Sequence, residues 1–157
     1  MKRTVLIVVV LIIIGLVAWL CIDALSTPKE EKAAKYLEND KAHLEQVAEY
    51  LSNSGLTDFC LSDDSGYDSA TNRKIIRDTA VLNEVEYLFD KHGYKEIKKE
   101  GATVRFVRWT YMHGFEAGIC YAPDGRPQIE FLTATKHLSV KGWYYYEADY
   151  NEWRTNN

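Results

Sequence analysis

Cysteine is scarce, with 3 in 157 residues, too few for a fold built on disulfides. Proline is as rare at 3, and 9 glycines exclude a collagen-like or low-complexity chain. Signature motifs are missing as well. There is no GxGxxG or GxxxxGK, which removes the dinucleotide fingerprint and the phosphate loop, and no GxSxG nucleophile elbow. His43, His92, His113 and His137 are scattered without an HExxH or a CxxC, so no zinc site and no cofactor are expected. Positive charge is in short supply too. Lys and Arg number 19 against 23 Asp and Glu, and the net charge of −4 argues against a nucleic-acid partner.

What the chain does hold is apolar and aromatic residues, at 46% and 13%, more than a disordered chain carries. Its length suits one domain with a short appendage. The appendage is at the start. Residues 5–22 contain no charge, and 18 residues of helix reach about 27 Å, close to the thickness of a bilayer core. Lys2 and Arg3 precede this run and Asp23 follows it, which predicts a cytoplasmic N-terminus. Residues 1–26 are therefore expected to be a single-pass anchor in the cell membrane, holding the bilayer through residues 5–22 with the C-terminal domain extracytoplasmic. Trp19 falls near the outer interface, where indole rings are favoured. The alternative is a signal peptide cleaved near Ser26, after the small-x-small pattern Ala24-Leu25-Ser26. Lipidation at Cys21 would need a small residue before it, where Leu20 stands.

Residues 27–55 read as an amphipathic stalk helix. Thr27 and Glu30 can form a capping box around Pro28 at the first helical position, and Gly55 can close the other end in the left-handed conformation. Ala33, Leu37, Leu44, Val47, Ala48 and Leu51 make one stripe. Its favoured use is to pack on the domain that follows. Leu37, Leu44 and Leu51 are seven apart, so the alternative is a parallel homodimer through the stalk.

Residues 56–157 read as a small α+β domain. Asp78 or Thr79 caps a second helix running to His92, with Val81, Leu82, Val85, Leu88 and Phe89 on its buried side and Gly93 ending it. Strand candidates follow at 94–99, 103–112, 115–122, 128–135 and 143–146, with 56–61 before the helix. The short links between them predict a helix packed on an antiparallel meander of about four or five strands. Alternation puts Val104 and Phe106 on one face, and Arg105, Val107, Trp109 and Tyr111 on the other. With neither face fully polar, the stalk helix is expected to cover the second one.

Chemistry is thinly marked. Cys60 and Cys120 are the two cysteines outside the apolar run, and an oxidising exterior would let them pair. Closing a loop of that length stabilises by roughly 4 kcal/mol on the chain-entropy model. The competing reading is two buried free thiols. The polar loop 63–68 has the flavour of a calcium loop, but with Gly66 in sixth place Leu61 and Asn72 would occupy the first and twelfth positions, so it is not an EF-hand. The densest local feature is aromatic. Trp143, Tyr144, Tyr145, Tyr146 and Trp153 could form a platform for a sugar or peptide, or lock a last strand into the fold. Together these readings predict an anchored, non-catalytic binding domain for a protein, peptide or cell-wall ligand. The alternative is a tethered enzyme acting on envelope material through a carboxylate or Cys120.

Overall fold

The computed structural model describes residues 29–63, 72–111 and 114–151, with Tyr111 described by its backbone alone. The expected anchor at 1–26, its cleavage motif, most of the 63–68 loop, and Trp153 lie outside the described residues. Among the described residues, no helix is long and apolar enough to cross a membrane. The chain divides into two compact units, Met1–Lys32 and Ala33–Asn157, and the fold below is that of the second.

The second unit is α+β, an antiparallel sheet of six strands with two helices. Helix α1 is Lys29–Asn53, and its buried residues are the expected stripe of Ala33, Leu37, Leu44, Val47, Ala48 and Leu51, joined by Asp40. Gly55 follows at φ 70°, the left-handed turn that glycine adopts without strain. Helix α2 is Thr79–His92. It starts on Asp78, whose side chain accepts from the N–H groups of Ala80 and Val81, and stops at Gly93 with φ 65°. Val81, Val85, Leu88 and Phe89 form its buried side.

The strands are β1 Asp58–Ser62, β2 Glu96–Glu100, β3 Thr103–Tyr111, β4 Phe115–Tyr121, β5 Leu132–His137 and β6 Trp143–Asp149. They lie in the order β1-β2-β3-β4-β6-β5. This departs from the expected meander in two ways. The strand before α2 joins the sheet as an edge beside β2, which makes six strands. And β6, not β5, pairs with β4, leaving β5 outermost. The long link between β4 and β5 permits this, because it leaves the sheet beside β4 and crosses the open face. Its Gln128 N–H bonds Thr103 Oγ1 at 3.2 Å, and Ile129 packs on Cys120, Tyr146 and Ala148.

Both helices lie on one face of the sheet. Leu37, Leu44 and Leu51 of α1 and Val81, Val85 and Leu88 of α2 share a single cluster with Ile97, Val104, Phe106, Ile119, Trp143 and Tyr145. The expected arrangement, with the helices on opposite faces, is thereby corrected to two layers. The leucines spaced by seven are used inside the domain. Burying each contributes roughly 1.5–3 kcal/mol, which accounts for α1 lying flat on the sheet. The assignment of faces on β3 also changes midway. A bulge between Val107 and Trp109 inserts Arg108, so Trp109 swings to the helix side and meets Tyr36 at 5.9 Å between ring centroids.

Candidate functional site

The open face of the sheet carries a transverse row of side chains. Cys60 pairs with Lys98, Lys98 with Arg105, Arg105 with Cys120, Cys120 with Tyr144 and Tyr144 with His137, one residue from each strand in turn. Glu116, on the same face, is buried and receives charge from two cations. Arg105 Nη1 lies 2.5 Å from Glu116 Oε1, and Lys98 Nζ lies 2.8 Å from Oε2. Tyr146 and Tyr150 donate their hydroxyls to the same Oε1 at 3.3 and 3.4 Å. Arg105 also reaches Glu100 at 2.9 Å, and Lys98 reaches Glu96 at 2.5 Å. Burial is the largest influence and would lower the pKa of Arg105 and of Lys98, but Glu116 with Tyr146 and Tyr150 around Arg105, and Glu116 with Glu96 around Lys98, together more than offset it and both end raised. Tyr146 is pushed well up, by burial first and by Glu116 second. The arrangement is a buried charge network whose main acceptor already has its donors. It orders the open face.

The two cysteines of that row are free. The bridge, one of the two readings of this pair, is not formed, for a geometric reason. Three inter-strand steps of about 4.8 Å separate β1 from β4, roughly 14 Å in all, whereas bridged Cα atoms lie within about 7 Å. Desolvation raises the pKa of both thiols, and Lys98 and Arg105 recover only part of this. Each is therefore held as the thiol, which is not the nucleophilic form.

The aromatic run on β6 is mostly interior. Trp143 and Tyr145 are in the main core, at 1% and 5% exposure, and Tyr146 is fully buried on the other face. Tyr144 remains half-buried against His137, 4.9 Å between ring centroids. These four residues do not make an exposed platform. They are the last strand locked into the fold, which was the competing reading, and Trp153 lies outside the described residues.

Sequence reasoning did not single out the corner between α1, α2 and β3. Asp40 is completely buried. Tyr94 donates to its Oδ2 at 3.0 Å, and His92 Nδ1 stands 2.6 Å from its Oδ1 without hydrogen-bond alignment. The bulge delivers Arg108 to this corner, 3.7 Å above the centre of the Tyr36 ring and 5.2 Å from that of Tyr94. Burial and the Asp40 charge raise the pKa of Tyr94. Next to it, His43 Nδ1 pairs with Glu84, and Tyr87 touches the rings of both histidines. Among the described residues, no group of three or more His, Cys, Asp or Glu could hold a metal ion.

An opening in the surface lies elsewhere. A groove of about 690 Å³ runs between the C-terminal end of α1 and the segment leading into α2. Tyr50, Leu56, Ile75 and Val81 supply its apolar lining, and Glu49, Arg77 and Asp78 supply its charges. Tyr50 is fixed there by accepting the Arg77 N–H on its hydroxyl at 3.2 Å. Ile75 is 40% exposed, one of three large apolar side chains so placed among the described residues. The signal that could have located this site is the run Arg73-Lys74-Ile75-Ile76-Arg77, two adjacent isoleucines flanked by basic residues ahead of the α2 cap.

These features define an α+β domain with a mixed apolar and charged groove outside its core. No family model matches the chain, and neither a curated protein nor a solved structure matches it.

Proposed function

We propose that the protein is a membrane-anchored binding domain, tethered through residues 5–22 with residues 27–157 outside the cytoplasm, and that the groove between α1 and α2 is its ligand seat. The charge-free run 5–22 behind Lys2 and Arg3 supports the tether, and the groove supports the ligand seat. Its volume of about 690 Å³ falls in the range of ligand pockets, and it joins apolar surface to a few convergent polar groups. Of the envelope-enzyme alternative, the form that acts through Cys120 finds less support, since burial raises the pKa of that thiol.

Chemical-shift mapping of the full chain in detergent, against a panel of amphiphilic fragments, tests the seat. Shifts are expected to cluster on Tyr50, Leu56, Ile75 and Val81. Shifts confined to Cys60, Lys98 and Arg105, or none at all, would reject it. A reporter fused after Asn157 tests the tether. An exterior signal on an intact chain is expected, and a cytoplasmic signal would overturn the topology.

A further inference from the structure

We infer that the groove selects a short zwitterionic peptide, with Arg77 taking its terminal carboxylate, Glu49 its terminal ammonium, and Ile75, Leu56 and Val81 an apolar side chain between them. This rests on the groove being the ligand seat. The argument starts from the two charges. Arg77 and Glu49 are both exposed, and among the described residues neither side chain has an ion-pair or hydrogen-bond partner. They come from different elements, and they form no ion pair with each other although they line the same groove. Opposite charges that line one groove without pairing are complementary to a molecule that carries a separated charge of each sign.

The remaining polar groups sharpen the assignment. Asp78 also lines the groove, but its carboxylate is engaged with the N–H groups of Ala80 and Val81, at 2.8 and 3.4 Å, and the positive end of α2 offsets its charge. Arg77 is thus the free charge on that wall. On the other wall α1 has no basic residue in its last turn, so the negative end of its dipole adds to Glu49. Each pole has one side chain as its source, and the poles differ in sign. A uniformly cationic or anionic ligand would meet one of them unfavourably. The volume exceeds what a single amino acid needs and suits a few residues.

The experiment uses the full chain in detergent and the tripeptide Ala-Leu-Ala in four forms: free, N-acetylated, C-amidated and blocked at both ends. Affinities are read by chemical-shift titration. Blocking either end is expected to weaken binding about tenfold, the effect of one charge-assisted contact. Arg77→Gln should erase the preference for a free carboxylate and leave the preference for a free ammonium, and Glu49→Gln should do the reverse. Equal affinity for all four forms, with shifts still on Tyr50 and Ile75, would overturn this inference while leaving the seat in place. No shift on those residues with any form would overturn the peptide inference, and the fragment panel above then decides whether the seat itself stands.

Discussion

A methyl group added to Gly118 would lie 2.1 Å from the Phe106 carbonyl oxygen and 3.1 Å from Val107 Cα, both backbone atoms that cannot turn aside. That close approach accompanies the β3 bulge, which begins at Val107, the strand partner of Gly118. Gly118→Ala is therefore expected to lower stability by about 2–4 kcal/mol, read as the midpoint shift in denaturant, and a change under about 0.5 kcal/mol would mean that β3 runs regularly there. The cysteines allow a second test at this scale. Cys60 is exposed and Cys120 buried, so peptide mapping after alkylation of the native chain should find Cys60 modified and Cys120 protected until unfolding. Their two neighbourhoods were hard to read beforehand. A cysteine on a strand looks the same at an edge as at the centre, and a pairing of Cys60 with Cys120 needed the strand order to be judged.

Among the elements, the helices were the most legible. Their caps are local chemistry. Asp78 does bond the first N–H groups of α2, and Gly55 and Gly93 do take positive φ. The 3.6-residue stripe then names the buried side without help from the rest of the chain. The strands were legible as segments but not as neighbours. Alternation shows which residues share a face only until a bulge intervenes, and Arg108 interrupts β3 with no glycine or proline to announce it. The network across β2, β3 and β4 follows from register alone, since Lys98, Arg105 and Glu116 are far apart in sequence. Glu116→Ala leaves Arg105 and Lys98 facing a vacated, buried position. It is expected to cost about 3–5 kcal/mol. The double variant Arg105→Met with Glu116→Leu should cost less than the sum of its two singles, by about 1–3 kcal/mol. Additive losses would show that the pair contributes nothing as a pair.

For the molecule as a whole, the sign of its response to alkali follows from the groups buried on both faces. Tyr94, Tyr146 and Tyr150 have pKa values raised above the ordinary 10.0, with burial the largest cause, and Lys98 is raised above 10.5. A group whose folded pKa is raised contributes stability in full below its unfolded value, and that contribution fades as pH rises towards the folded value. The pKa values of the Cys60 and Cys120 thiols are likewise raised, above 9.0, so stability should hold up to about pH 9 and fall above it. Tyrosinate absorbance is expected to rise in two stages, exposed rings first and the buried rings together with loss of the fold. A single smooth titration with the fold retained would contradict the burial of Tyr146. The α+β class and the buried helix stripes were legible at this scale. The side of the sheet on which each helix lies, and the groove that follows from it, were not, because both depend on contacts between residues distant in the chain. Strand order has a further consequence, in time. β6 follows β5 in the chain yet sits between β4 and β5, so a growing polypeptide that has emerged only as far as β5 has no neighbour on which to lay that strand. β1 to β4 pair among themselves without β6, but β5 can join the sheet only after Trp143–Asp149 has been made, so that one strand waits unpaired while the rest of the sheet is already in place.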